Sequence, residues 1–301
     1  MKVAVLMCTY NGEKYLQDQI NSILKQKGDF ELKLIIRDDG SSDRTIDILK
    51  GYETNPRVKI KFGNNKGPAL GFMELLHGNK GYDFYAFSDQ DDVWNPDKLL
   101  RGISKLSSKY GPSVYFANAQ LVDAQLNPLN INVYKKSPQL DFKSLSCCGG
   151  ILGCTIVFNN KIAKIIQNSK LPQKIIMHDF YVSEVCKMIN GEVIYDPKCV
   201  MLYRQHENNV IGVSYGVFSK VTSRFKEIFS KPNVGVDEQA GDILTNYTEY
   251  LNVEKLRWLR KVKNYNNNFY TRLNLALSSD LRFVNKHQKL RIRFSILMGN
   301  R

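Results

Sequence analysis

Asp83 to Lys98 reads D-F-Y-A-F-S-D-Q-D-D-V-W-N-P-D-K, and the fold turns on it. Tyr82 to Phe87 is apolar and rich in aromatics, which predicts a buried strand. The strand runs straight into Asp89, Asp91 and Asp92. Three carboxylates so close repel one another and cannot be left unpartnered in an apolar interior. A hard divalent cation, Mg²⁺ or Mn²⁺, answers both problems, because it takes oxygen ligands and shares them with a substrate phosphate. Strand ends suit such a site, since open α/β sheets bind ligands at the carboxyl ends of their strands. The plainer reading is a solvated acidic turn before the helix start at Asn95-Pro96. Trp94 and the aromatic strand favour a packed loop instead.

The same arrangement recurs outward from this stretch. Lys2 to Cys8 is an apolar run ending in Thr9-Tyr10-Asn11-Gly12, and a helical spacing follows over Glu13 to Lys25. Leu32 to Ile36 ends at Arg37-Asp38-Asp39-Gly40, with Ser42 or Asp43 placed to cap the next helix. Val58 to Phe62 leads to the turn Gly63 to Pro68, where Gly67 is a further candidate site residue, and then to a helix over Ala69 to Leu76. Lys98 to Leu106 reads as a helix and Ser113 to Ala117 as a fifth strand. Strand-helix alternation with short connections predicts an α/β fold: a Rossmann-like, mostly parallel sheet with helices on both faces. The ends of the first, second and fourth strands should then meet in one cleft. Neither G-x-G-x-x-G after the first strand nor G-x-x-x-x-G-K-[ST] occurs, so ordinary dinucleotide and P-loop binding are not supported.

The 301 residues suffice for one large domain or two smaller ones. No apolar run reaches about 18 residues, which argues against a transmembrane helix. The apolar run Val3 to Cys8 is too short for a secretory h-region, so a cytoplasmic protein is expected. Six cysteines without C-x-x-C or Cys/His zinc spacing fit small buried hydrophobes in a reducing compartment. The net charge is +14. Residues 216–301 carry 16 Lys or Arg against 7 Asp or Glu, a surplus of nine within that total. A basic tail points to an anionic membrane surface, an acidic substrate or nucleic acid.

Three motifs now combine. V-L-M-C-T-Y-N-G-E-K-Y-L, R-D-D-G-S-S-D-R-T and F-S-D-Q-D-D-V-W-N-P-D-K-L, in that order, resemble family 2 glycosyltransferases of the GT-A fold. The S-D-Q-D-D-V-W form resembles the bacterial rhamnosyltransferase branch. The resemblance covers residues 1–215, taken as the catalytic domain, and leaves 216–301 as a basic helical C-terminal region. It implies that Thr9, Tyr10 and Asn11 line the nucleotide and that Asp38 or Asp39 accepts a hydrogen bond from the pyrimidine N–H. Asp89-Gln90-Asp91 would be the D-x-D motif, with Asp91 on the metal and Asp89 on the ribose or the metal's waters. The small-residue stretch around Gly150, Gly153, Cys154 and Thr155, with Trp94, would border the donor sugar and the acceptor; a tight turn before a strand is the simpler reading.

Asp179 could be a helix N-cap, and the residues alone favour that. The resemblance makes it the general base, with His178 in the place often held by Glu. Arg204 and His206 can both bind phosphate oxygens, and His206 is a further metal candidate. The chain lacks the Q-x-x-R-W of processive synthases. A metal-dependent, inverting, non-processive transfer is therefore expected, of L-rhamnose from dTDP-rhamnose to a surface polysaccharide or lipid-linked saccharide. A UDP-hexose donor is the nearest alternative. A non-catalytic basic module binding membrane or nucleic acid is the alternative of another class, and it leaves the acidic strand ends unexplained. In the tail, Phe218, Val221, Phe225, Ile228 and Phe229 share one helical face opposite basic residues. Further helices are expected over Ile243 to Leu259 and Leu281 to Leu297, serving either the inner face of the cell membrane or a homodimer.

Overall fold

The computed structural model describes residues 1–206 and 234–301. Runs that are apolar without alternation suit strands covered on both faces. They form β1 (Lys2–Thr9), β2 (Glu31–Asp38) and β4 (Phe84–Ser88), while β3 (Val58–Phe62), V-K-I-K-F, alternates and is the largely exposed edge strand. These lie in the order β3-β2-β1-β4 and are all parallel. Alternate residues of β1 feed two cores. Val3, Val5 and Met7 pack with α1 (Leu16–Leu24) and α4 (Lys98–Leu106), whereas Ala4 and Leu6 pack on the face of α3 (Gly67–Gly78). A short helix α2 (Thr45–Lys50) joins β2 to β3. Asp43 Oδ1 accepts from Thr45 N just ahead of it, but the cap position is Arg44 and no side chain caps the helix, which corrects the cap reading of Ser42 or Asp43.

Beyond β4 the sheet is mixed. The expected fifth strand is β6 (Ser113–Val122), but β8 (Val157–Asn159) sits antiparallel between it and β4. β9 (Glu192–Arg204) runs parallel to β6. Antiparallel additions by β7 (Pro128–Asn132) and β5 (Val93–Trp94) complete nine strands. Parallel neighbours need a crossover, and the long connection from β6 to β9 supplies the one in the second half of the chain.

Helices α5 (Phe142–Cys148), α6 (Asn160–Asn168) and α7 (His178–Met188) cover one face. The C-terminal helices are α8 (Val236–Tyr247), α9 (Val253–Lys263), α10 (Phe269–Ala276) and α11 (Lys286–Met298). The single helix expected over Ile243 to Leu259 is broken, because Asn252 caps a new start by accepting from Lys255 N. Asn285 does the same for α11, which begins later than expected. Ala240, Ile243, Trp258 and Leu259 share one core with Leu145, Tyr181 and Val185 of the preceding part. The amphipathic segment from Phe218 to Phe229, and Glu207 to Gly212 after His206, lie outside the described residues. Among the described residues no helix is long and apolar enough to cross a membrane.

Candidate active site

The carboxyl ends of β1, β2 and β4 meet because the three strands are adjacent and parallel. Side chains then stitch their loops together. Asp38 is buried beneath the turn, where it accepts from Thr9 Oγ1 at 2.9 Å, Ser41 Oγ at 2.6 Å and Ser41 N at 2.9 Å. Asn11 N donates to Ser41 Oγ, and Gly12 N to Thr45 Oγ1. The Gln90 amide clasps the Tyr10 backbone, accepting from its N–H at 2.9 Å and donating to its carbonyl at 3.0 Å. Asp39 pairs with Arg37 and accepts from Lys66 N and Gly67 N, so it also fixes the start of α3.

These loops wall a cavity of about 650 Å³. That is within the roughly 300–1,000 Å³ common for small-molecule sites. Thr9, Tyr10, Asn11, Asp39 and Gly67 line it. So do Asp89, Gln90, Asp91 and His206, and Gly153 and Asp179. Eleven candidate positions from separate stretches of the sequence are thus in one space.

His206 Nε2 lies 2.9 Å from Asp91 Oδ2 at this wall, and its ring rests on Tyr15. A carboxylate beside an imidazole is a donor set that Mg²⁺ and, more readily, Mn²⁺ accept, with phosphate oxygens and waters filling the remaining positions. Asp91 and His206 therefore fit the cation that the sequence implies. Asp89, Asp92 and Cys154 also offer ligand atoms within 4.8 Å of one another. That group is a poorer host. Burial keeps the Cys154 thiol protonated, and the ammonium of Lys98 already lies within it, donating to Cys154 O at 2.7 Å and covering the face of Trp94. Burial pushes Asp92 up and Lys98 down, while Asp92 and Asp89 pull Lys98 the other way. Asp89 is raised too, first by burial and then by the negative charge of Asp91 and Asp179.

Asp179 stands in the first turn of α7, where Phe180 N donates to its Oδ1 at 2.7 Å. The helix terminus favours the charged form. Burial outweighs it and lifts the carboxyl to about 6. Asp179 is therefore not the cap, a position held by Met177; it stands inside the first turn, where the Phe180 N–H holds its carboxylate.

Several expected positions are not in the cavity. Arg204 is buried behind it: its Nε donates to Asp91 O, Nη1 to Ala124 O and Nη2 to Asp18 Oδ2, and its backbone N–H to Asp92 Oδ1. The guanidinium also covers the face of Tyr15. In this geometry it braces the Asp91-Asp92 loop instead of meeting a diphosphate. Asp38, committed to Thr9 and Ser41, leaves Asp39 as the carboxylate facing the cavity. Trp94, Gly150, Cys154 and Thr155 stand outside the lining, Trp94 under Lys98 and Thr155 bonded to Leu152 O and Ala117 N. Lys98 carried no site reading in the sequence, and His178 was named there only as the neighbour of Asp179. A trio of clustered carboxylates asks for a nearby cation, and Lys98 is the first lysine after it.

The family profile described as glycosyl transferase family 2 matches residues 4–162. The chain belongs to that family. It is a glycosyltransferase. Among curated proteins, the dTDP-rhamnosyl transferase RfbG of Shigella flexneri is 32% identical, across 71% of this chain and 76% of that protein. The poly(ribitol-phosphate) β-N-acetylglucosaminyltransferase TarS of Staphylococcus aureus is 35% identical over 33% of this chain and 18% of its own length. The crystal structure of S. aureus TarS residues 1–349 in complex with UDP-GlcNAc superposes with a TM-score of 0.57 at 18% identity. It covers 97% of this chain and 79% of that one, a likeness of fold.

Proposed function

We propose that this family 2 enzyme is an inverting, non-processive, metal-dependent transferase that moves L-rhamnose from dTDP-rhamnose to a surface polysaccharide or lipid-linked saccharide. One observation carries the mechanism: Asp179, with its raised carboxyl, shares a cavity with the Asp91–His206 pair. The rhamnosyl donor is supported by the likeness to RfbG over most of the chain.

The residues then divide the work. Tyr10 and Asp39 receive the nucleotide, with Asp39 Oδ atoms fixed by Arg37 and the α3 start. Asp91 and His206 would hold the cation, with Asp89 on the ribose side, and Mg²⁺ or Mn²⁺ held there would supply Lewis-acid stabilisation of the negative charge that grows on the departing diphosphate. Asp179 takes the proton from the acceptor hydroxyl as its oxygen bonds to the anomeric carbon from the face opposite the phosphate. The carbon–phosphate oxygen bond breaks in the same displacement, so the configuration inverts and no second carboxylate nucleophile is needed. Residues 1–215 would form the catalytic domain. The basic region 216–301, with Lys286, Lys289 and Arg291 exposed, would rest on an anionic membrane surface where a lipid-linked acceptor resides.

A UDP-sugar is the second reading, favoured by the likeness to TarS, whose crystal structure is a complex with UDP-GlcNAc. A donor panel with Mg²⁺ or Mn²⁺ separates the two. Thermal stabilisation and slow release of dTDP from dTDP-rhamnose alone supports the proposal. Preference for UDP-glucose, UDP-galactose or UDP-N-acetylglucosamine would keep the mechanism and discard rhamnose.

A further inference from the structure

Tyr134, two residues beyond β7, is held by both its backbone and its ring. Buried Asn118 of β6 clasps the backbone: Tyr134 N donates to Asn118 Oδ1 at 2.9 Å, and Asn118 Nδ2 donates to Tyr134 O at 2.8 Å. The ring packs edge-on against Phe116 and Tyr195, with centroids 5.9 and 5.4 Å away. A side chain fixed this firmly has little freedom left to lose in making a further bond. Its hydroxyl donates to Gly150 O at 2.8 Å. Burial, and after it the negative charge of Asp179, push the phenol well up, so it remains a neutral donor.

The segment that receives this bond leads to the base. Gly149 and Gly150 follow α5 with φ of +61° and +103°, a left-handed pair in which side chains are strained. Two successive glycines allow the turn but do little to stiffen it. Ile151, Leu152 and Gly153 then enter the cavity wall. Leu152 O is held from the far side by Thr155 N and Thr155 Oγ1. The Gly153 N–H acts on the Asp179 carboxylate as a hydrogen-bond donor, pulling its pKa down against the larger push of burial. The loop that Tyr134 ties at Gly150 thus ends on Asp179.

We propose that Tyr134 is a positioning residue for Asp179: its hydroxyl latches the Gly149–Gly153 loop and so keeps the Gly153 N–H on the carboxylate. This rests on the base reading given above and names the side chain that keeps the base aimed. Tyr134 itself stands outside the cavity lining, so it acts on the rate and leaves donor affinity alone. Small displacements of a reacting group are costly to rate, and loss of one neutral hydrogen bond corresponds to about 10-fold.

The test follows release of nucleoside diphosphate from dTDP-rhamnose, or from the UDP-sugar that the donor panel prefers, with Mn²⁺ and water as acceptor. Wild type, Tyr134→Phe, Tyr134→Leu and Asp179→Asn are compared across the acid limb of the rate. Tyr134→Phe keeps the ring packing and deletes only the hydroxyl. It should lower kcat by about 10-fold with donor KM and thermal stabilisation by the nucleoside diphosphate unchanged. Its acid limb should move up from about 6, because a carboxylate that loses an N–H donor is easier to protonate. Asp89 and Tyr134 are the titratable groups on which the Asp179 charge acts, and Asp89 is common to all four proteins. Tyr134→Leu also loses the ring and should melt lower, yet its kcat should fall no further than that of Tyr134→Phe. A rate that tracks Tm instead, with Tyr134→Phe near wild type and Tyr134→Leu impaired, would make Tyr134 a packing residue and overturn the proposal. Asp179→Asn tells the two failures apart. If it loses release while Tyr134→Phe keeps the wild-type kcat and acid limb, the latch falls and the base stands. If Asp179→Asn releases diphosphate at the wild-type rate, the base reading falls and the latch with it.

Discussion

Gly153 and Asp179 touch so closely that a Cβ on Gly153 would stand 2.7 Å from Asp179 Oδ2 and 2.9 Å from its Cγ. The glycine is therefore what gives the carboxylate its place. Gly153→Ala should displace Asp179 and lower the transfer rate by about 100-fold, the scale of a misplaced reacting group. Stabilisation by dTDP with metal should be unchanged, since the nucleotide side is untouched. Near-normal turnover in this variant would remove Asp179 from the reaction.

The pH dependence follows from the same carboxyl. Its folded-state pKa is raised to about 6, so it is mostly protonated and idle as a base below that value. The rate of transfer should rise about tenfold per pH unit below about 6 and level off above it. Asp179→Asn should lose transfer by about 10²–10⁴-fold at every pH and keep donor binding. A wild-type rate that is flat from pH 5 to 7 would sink the assignment.

The strand-end residues were legible because parallel neighbours must bring their carboxyl ends together, whatever the details. T-Y-N, R-D-D-G and D-Q-D-D declared themselves by following apolar runs. What could not be read was direction. Arg204 and His206 are two residues apart on the same strand end, yet one is buried behind the loop and the other lines the cavity. Lys98 looks like a surface lysine on an amphipathic helix but is fully buried against Asp89 and Asp92. Orientation of a long side chain depends on contacts with residues far away in sequence, and no local spacing encodes those. The break in the C-terminal helix was readable from Asn252, had its capping chemistry been weighed against the apolar period.

Arg204 supplies a prediction that separates bracing from phosphate binding. Arg204→Ala deletes charge-assisted bonds to Asp91 O, Ala124 O and Asp18. A loss of about 2–3 kcal/mol is expected, or roughly 5 °C in Tm for a chain of this size. Arg204→Lys, which cannot make the forked contacts, should recover little of it. Donor affinity that collapses with an unchanged Tm would return Arg204 to the diphosphate.

The Asp91–His206 pair predicts how metal and donor are linked. Chelation of the cation should abolish thermal stabilisation by dTDP-rhamnose, and Mn²⁺ or Mg²⁺ should restore it. Asp91→Asn and His206→Ala should each weaken metal-dependent donor binding by at least about 10-fold, as ligand loss does. Combining them should cost less than the product of the two, because they serve one ion. Asp92→Asn should behave differently, lowering Tm with the metal response retained, since Asp92 is bonded to Arg204 N in the wall behind. An identical loss of metal response in all three would place the cation in the Asp89-Asp92-Cys154 group.

Glu184 offers a test of how the C-terminal helices are attached. It is buried on α7 and accepts from Gln239 Nε2 of α8 at 2.6 Å, while Gln239 Oε1 accepts from Ile176 N just ahead of Asp179. Burial raises the Glu184 carboxyl to about 8 from an ordinary 4.5. The folded chain thus holds a proton there that the unfolded chain releases. Stability contributed by this group is present at pH 4.5, falls as pH rises toward 8, and is level above. Glu184→Gln keeps an acceptor for Gln239 and has no charge to bury. Its Tm should match wild type near pH 4.5 and exceed it by roughly 10 °C at pH 8.5, on the order of 5 kcal/mol. Groups common to both proteins cancel in the difference, so thermal melts across that range isolate Glu184. Parallel curves would mean that Glu184 titrates near its ordinary value and that water reaches the junction of α7 and α8.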